Sequence, residues 1–210
     1  MLISKEKKFL FVHIQKTAGT SLATFLKREI PDLENYFRQH DHIKMAEDDL
    51  GSMYETYYKA AFVRNPFDRL VSWYSMIVSK GKLLSDQEKE MFPDYNQIWQ
   101  YVLANSNTFS EFILNCHDAT NRAGWKPFLT NQIDYITNNQ GDISMDCIGR
   151  FESIEAGLQK ICEYLEVSSK VVPHLNVSRH VGYRDYYTDE TKAIVAKRFY
   201  RDIEAFEYSF

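Results

Sequence analysis

The sequence has little of several features that mark common protein classes. Its 210 residues include 3 cysteines, 5 prolines and 8 glycines. Three scattered cysteines without a CxxC spacing exclude a disulfide framework and argue against a zinc site. The absence of linker-like or low-complexity stretches excludes a collagen-like or disordered chain. An apolar fraction of 44% and a charged fraction of 26% are typical of a globular protein that can build its own core.

Long apolar runs and a basic excess are also missing. No run approaches the ~18 apolar residues that would span a bilayer, so we expect no transmembrane segment. The short apolar run after the charged start MLISKEKK lacks signal-peptide features. With 25 Lys and Arg against 29 Asp and Glu, the net charge is -4. This balance argues against nucleic acid as a partner.

Short apolar runs alternate with helical patterns along the chain. Strand character is found over 8–14, 59–64 and 146–151. Helical periodicity is found over 66–78, 153–165 and 188–206. This alternation predicts an α/β fold with a central parallel β-sheet flanked by helices. We expect a single P-loop-like domain over 1–210.

The first strand runs into a loop that opens a helix. The free N–H groups and the dipole of a helix N-terminus attract anions. Lys16 supplies a charge, Gly19 backbone access, and Thr20 and Ser21 hydroxyls. The nucleotide P-loop GxxxxGK[ST] is not matched, because no glycine opens this loop and the lysine precedes Gly19 by three residues. The pattern therefore disfavours a standard kinase or ATPase.

A second strand-to-helix junction carries an arginine. Arg64 ends the second strand, Pro66 suits the first helical position, and Ser72 follows about two turns later. Arginine matches phosphate oxygens with a planar fork of donors. In a parallel sheet both junctions lie at the carboxyl edge of the strands, where ligands bind. Two anion sites on one edge suit a nucleotide with two separated phosphates.

The segments FVHIQKTAGTSL and FVRNPFDRLVSWY together resemble the phosphate-binding motifs of the sulfotransferase superfamily. That superfamily uses 3′-phosphoadenosine-5′-phosphosulfate (PAPS), and the likeness is greatest to the branch of carbohydrate O-sulfotransferases and bacterial relatives. It runs from Phe9 to the end and is weakest between Gly81 and Trp125. The resemblance implies in-line sulfuryl transfer from PAPS to a hydroxyl, with adenosine 3′,5′-bisphosphate as product and no metal.

The resemblance also assigns roles to residues. Lys16 is expected to stabilise the charge that develops on the bridging oxygen. Arg64 and Ser72 are expected to bind the 3′-phosphate, and Arg179 to make a second contact from a late loop. The residues implied in binding PAPS are Lys16, Thr17, Ala18, Gly19, Thr20, Ser21, Arg64, Ser72 and Arg179.

The base that removes the acceptor proton has several candidates. His40 and His42 form a His-x-His between the two motifs, and relatives that sulfate uronic acids carry such a pair at a similar place. We favour His42 as the base and His40 as a supporting group. The acidic run 47–49 offers a carboxylate alternative but is typical of a solvated face. His13 lies inside the first strand and is expected to be a core residue.

The acceptor follows from the resemblance and the net charge. We expect a carbohydrate, a glycolipid or a small hydroxylated molecule, neutral or weakly charged because the chain is acidic overall. A small-molecule kinase and an inactive nucleotide- or carbohydrate-binding module are the alternative functions. A bacterial-type cytoplasmic protein is expected if Met1 is the natural start, and a trimmed Golgi lumenal domain is the alternative location.

Overall fold

The computed structural model describes residues 1–81, 93–121, 123–167 and 182–210. They group into two compact units. The first holds the described residues of Met1–Arg64 and Gln132–Val177, and the second those of Asn65–Asn131 and Ser178–Phe210. No helix in these described stretches has the length and apolar character needed to cross a membrane. The assignment of 1–210 to one domain stays a prediction.

The first unit contains a five-stranded sheet in the order β3-β1-β2-β4-β5. The strands are β1 Leu2–Ser4, β2 Phe9–Val12, β3 Glu34–Asn35, β4 Tyr58–Val63 and β5 Cys147–Arg150. β2, β4 and β5 are parallel, which confirms the predicted α/β fold with a central parallel sheet. The antiparallel edge of β1 and β3 was not predicted. These strands have three and two residues, too short to show a periodic pattern.

The helices fall into both units. In chain order they are α1 Gly19–Glu29, α2 Ile43–Leu50, α3 Pro66–Lys80, α4 Pro93–Asn105, α5 Phe109–Asn115, α6 Ile133–Ile136, α7 Ile154–Leu165, α8 Asp189–Arg198 and α9 Tyr200–Ala205. Of these, α1, α2, α6 and α7 belong to the first unit. Short 3₁₀ turns lie at Gly51–Thr56, Phe151–Ser153 and Tyr183–Tyr186.

The core of the first unit places apolar side chains of α1 and α7 against the sheet. Phe9 and Phe11 of β2 face this core, and their neighbours Leu10 and Val12 are equally buried. Burial on both faces is typical of a central parallel strand and explains why β2 is an unbroken apolar run. The helical side chains of this core are Leu22, Phe25 and Leu26 of α1 and Leu158, Ile161 and Leu165 of α7.

The second unit packs α3 with the remaining helices around a separate apolar cluster. The side chain of Asn65 caps α3 by accepting from the N–H of Phe67 at 3.1 Å, and Pro66 occupies the first position, as predicted. The predicted continuous helix over 188–206 is wrong, because the chain forms α8 and α9 instead. Phe199 separates them with φ -111° and ψ 28°. Its ring is fully buried, so tertiary packing overrides the helical pattern there.

Candidate active site

The loop after β2 has an unusual backbone. Lys16 and Ala18 have φ of 68° and 64°, the left-handed region that side chains other than glycine seldom adopt. Each such residue costs of order 1–2 kcal/mol and persists only where surrounding contacts enforce it. Alternation of this kind turns successive N–H groups toward one side, which makes a concave anion-binding surface. The backbone of this loop therefore has a conformation found in anion-binding loops, and contacts with the surrounding residues must hold it.

The helix α1 starts directly after this loop, so the N–H groups of its first turn follow those of the loop in the chain. α1 begins at Gly19, and within the described residues no side chain caps it and no acidic residue lies in its first turn. The N–H groups of Gly19, Thr20 and Ser21 belong to this first turn, which has no intrahelical acceptor for them. Thr20 is exposed and Ser21 is half-buried. These features fit a bound phosphate or sulfate group.

Hydrogen bonds within the described part of the chain hold the loop. The Thr17 hydroxyl donates to the carbonyl of Ile14 at 2.9 Å. The Arg64 guanidinium donates through Nη1 to the carbonyl of Lys16 at 3.2 Å. The Tyr135 hydroxyl donates to Oε1 of Gln15 at 2.7 Å. The last two bonds come from segments far away in sequence, so the loop shape depends on tertiary structure.

Arg64 follows the last residue of β4 and is 4% exposed. Because β2 and β4 are parallel neighbours, the loop of Lys16 and Arg64 leave the sheet at the same edge. Gln132 pins Arg64 in place, since its Oε1 accepts from the N–H of Arg64 at 2.9 Å and its Nε2 donates to the carbonyl at 2.8 Å. The guanidinium lies 3.9 Å from the ring centroid of Phe151. A planar cation is thus oriented beside the loop.

Two histidines meet beneath the loop. His13 is 5% exposed, as predicted for a core residue, and its ring centroid lies 4.6 Å from that of His40. The amide of Gln39 approaches Nδ1 of His13 at 3.0 Å. Burial lowers the pKa of His13 to about 3, with the neighbouring His40 as a second cause. His13 is therefore neutral at physiological pH.

His40 is held by the backbone of its neighbour. Its Nδ1 lies 2.8 Å from the carbonyl oxygen of His13. A carbonyl oxygen can only accept, so the neutral ring carries its proton on Nδ1 and its lone pair on Nε2. This tautomer suits a group that accepts a proton through Nε2.

His42 lies at the start of α2 and is half-buried. Its ring centroid is 4.6 Å from that of Tyr135. Burial lowers the pKa of His42, and the charge of Lys44 acts in the same direction. Asp134 and Asp41 oppose this shift. A histidine with a lowered pKa is neutral near pH 7 and so is able to accept a proton.

The acidic run of α2 makes contacts of its own. The Glu47 carboxylate accepts from the backbone N–H of Asn139 at 2.8 Å. The Asp48 carboxylate accepts from the side-chain amide of the same Asn139 at 2.7 Å. Asp49 accepts from the hydroxyl of Tyr36. The bonds of Glu47 and Asp48 tie α2 to the turn after α6, and the bond of Asp49 ties α2 to Tyr36, the residue after β3.

Two predicted site residues lie outside the described part of the first unit. Ser72 is 7% exposed on α3 in the second unit, and Arg179 lies outside the described residues. Three buried residues of the first unit were missed: Gln15, Gln132 and Tyr135. Only a polar residue in the midst of an apolar pattern could have signalled them. In the stretches that the structure describes, no group of three or more His, Cys, Asp or Glu side chains is arranged to hold a metal ion.

Comparisons with known proteins match this sequence to one family. The model of the sulfotransferase family matches residues 1–209. A crystal structure of a sulfotransferase from Alicyclobacillus acidocaldarius has 16% sequence identity and a TM-score of 0.40. The alignment covers 97% of this chain and 96% of that chain. A search of curated proteins gives no significant match.

Proposed function

The chain belongs to the sulfotransferase family, and we propose that it transfers a sulfuryl group from PAPS to a hydroxyl of a carbohydrate or glycoconjugate. One observation carries the proposal. The left-handed loop of Lys16 at the N-terminus of α1 is hydrogen-bonded to Arg64, which follows the neighbouring parallel strand. Two candidate anion-binding elements thus lie together at one edge of the sheet, and this arrangement supports a donor with separated phosphate groups.

In this proposal the loop of Lys16, the N-terminus of α1 and Arg64 bind the donor. The amides of the loop and of the first turn of α1 would hold the 5′ phosphosulfate, with Lys16 at its bridging oxygen. The donor itself supplies the activated sulfuryl group. The oriented fork of Arg64 would hold the 3′-phosphate. Ser72 and Arg179 stay predictions from the family resemblance.

Proton removal from the acceptor is the second task. We assign it to His42, since burial lowers its pKa and keeps the imidazole neutral near pH 7. His40 is the supporting group, with its tautomer set by the carbonyl of His13. The carboxylates of Glu47 and Asp48 are weaker candidates because both are occupied by Asn139. Base catalysis of this kind contributes ~10²–10⁴ in rate.

Calorimetric titration with adenosine 3′,5′-bisphosphate, without metal, tests the donor site. We expect binding by the intact protein and a loss of about tenfold or more in affinity for Lys16→Ala and Arg64→Ala, because each removes a charge-assisted contact. Matched controls are Lys27→Ala and Arg28→Ala, two exposed residues in the last turn of α1. These controls should bind as the intact protein does.

Competing functions give different results in the same experiment. Preference for ATP with Mg²⁺ would indicate the small-molecule kinase and contradict the proposal. Bisphosphate binding with no transfer of radiolabelled sulfate from PAPS to any hydroxylated acceptor would indicate the inactive binding module. The acceptor screen should begin with neutral saccharides and glycolipids, since the net charge of the chain is -4. The cytoplasmic location stays a prediction.

A further inference from the structure

Tyr135 is a fully buried residue that contacts two parts of the candidate site at once. It lies on the short helix α6, and its hydroxyl donates to Oε1 of Gln15 at 2.7 Å. Its ring centroid lies 4.6 Å from that of His42, with the ring planes tilted by 44°. Tyr135 lies outside the two phosphate-binding motifs, and the donor site as proposed does not include it.

The hydroxyl of Tyr135 acts on the loop. Gln15 is 4% exposed and immediately precedes Lys16, whose left-handed backbone needs external support. The carbonyl of Lys16 is held from another direction by Arg64. Arg64 in turn is pinned by Gln132, one residue before α6 begins. The segment of α6 therefore supports the loop through both Tyr135 and Gln132.

The ring of Tyr135 acts on the imidazole of His42. The ring lies against that imidazole in a tilted arrangement and contributes to its partial burial. The charged groups that influence His42 are Lys44 on α2, Asp41 before it and Asp134 on α6. Since Asp134 adjoins Tyr135, α6 sets both the apolar cover and part of the electrostatic environment of His42.

We propose that Tyr135 is a positioning residue for sulfuryl transfer, which aligns the loop of Lys16 through its hydroxyl and the imidazole of His42 through its ring. This inference rests on the proposed function, in which Lys16 stabilises the leaving group and His42 accepts the proton. The buried side chain of Tyr135 then sets the placement of the loop of Lys16 relative to His42. The two contacts of Tyr135 are chemically distinct, so separate substitutions remove them.

Two substitutions of Tyr135 separate the contacts. Tyr135→Phe removes the bond to Gln15 and keeps the ring, so kcat should fall about tenfold, with an unchanged midpoint of the acid limb of the pH–rate profile. Tyr135→Leu also removes the aromatic cover. The pKa of His42, followed by NMR titration of its imidazole, should then rise toward its ordinary value because burial is partly lost. The same titration of Tyr135→Phe should match the intact protein.

A double-mutant cycle tests the bond to Gln15. Gln15→Met keeps the volume of the side chain and removes the acceptor, so it should lower kcat as Tyr135→Phe does. The double variant should be no slower than either single variant, because both remove the same bond. Tyr54→Phe is the matched control, since it removes a buried tyrosine bond, to Ser144 at 2.6 Å, that does not touch the loop. It should leave kcat unchanged.

The outcomes separate this inference from the function on which it rests. If the intact protein transfers sulfate but the two losses add fully, and Tyr135→Leu leaves the pKa of His42 unchanged, Tyr135 has no positioning role. If the protein neither binds the bisphosphate nor transfers sulfate, the proposed function fails and this role fails with it. The NMR titration needs no turnover, so it still reports whether the ring of Tyr135 controls the protonation of His42.

Discussion

Gly19 lies so close to the imidazole of His13 that a methyl group in its place would not fit. A Cβ built on Gly19 would be 1.9 Å from Cδ2 of His13 and 2.2 Å from its Nε2. Ordinary van der Waals contact begins at 3.4 Å, so Gly19→Ala requires a displacement of about 1.5 Å. The imidazole is buried against His40 and held by Gln39, and it has little room to move.

The size of the effect follows from two opposing terms. Forcing an extra methyl into a packed site costs ~1–3 kcal/mol. Replacing glycine by alanine in a helix otherwise stabilises a protein by ~0.4–1 kcal/mol through the unfolded chain. We expect a net loss of about 1–2 kcal/mol for Gly19→Ala, which corresponds to a fall in Tm of about 2–8 °C for a chain of this length. Because the loop of Lys16 would shift, kcat should fall as well.

Thermal unfolding of matched variants measures this effect. Gly182→Ala is the control, because no atom of the described residues lies within 4 Å of a Cβ built there and its φ is -47°. It should unfold at or slightly above the Tm of the intact protein. His13→Ala removes the obstructing ring, so adding Gly19→Ala to it should cost nothing further. An unchanged Tm for Gly19→Ala in the intact protein would refute the packing that places His13 beneath the loop.

Three further predictions follow from the same site. Burial lowers the pKa of His42, and a base acts in its neutral form, so kcat should rise with pH through a midpoint below 6.5. His42→Gln should abolish this rise of kcat with pH, and an unaltered pH–rate profile would exclude His42 as the base. Burial also lowers the pKa of His13 from 6.5 to about 3. The unfolded chain therefore binds a proton that the folded chain does not between those values, and stability should fall as pH falls, by ~2 kcal/mol at pH 5. Urea unfolding at pH 7 and at pH 5 measures this decrease in the free energy of unfolding. The decrease should be smaller for His13→Gln than for the intact protein, and equal decreases would show that His13 is not its cause. Arg64→Lys keeps the charge but loses the planar fork that reaches Lys16, so its affinity for the bisphosphate, by calorimetry, should fall about tenfold; native affinity would show that charge alone suffices.

Most of the local elements and the family could be predicted from short stretches of the chain. The apolar run of β2 marks a strand because it is buried on both faces, and Asn65 and Pro66 mark the start of α3 by satisfying and sparing its first N–H groups. Such patterns depend on residues that are close in the chain, so they can be recognised without a structure. The motifs around Lys16 and Arg64 were found in the same way, and the family match supports them.

The contacts that hold the site together could not be predicted in this way, because they join segments far apart in the chain. The parallel pairing of β2 with β4 brings the Arg64 guanidinium to the carbonyl of Lys16, 48 residues away. Tyr135 reaches Gln15 across 120 residues, and no periodic pattern marked it as anything but core. The break at Phe199 is likewise a consequence of packing. Contacts between distant segments depend on strand order and register, which local propensity does not encode, and the geometry of this site consists largely of such contacts.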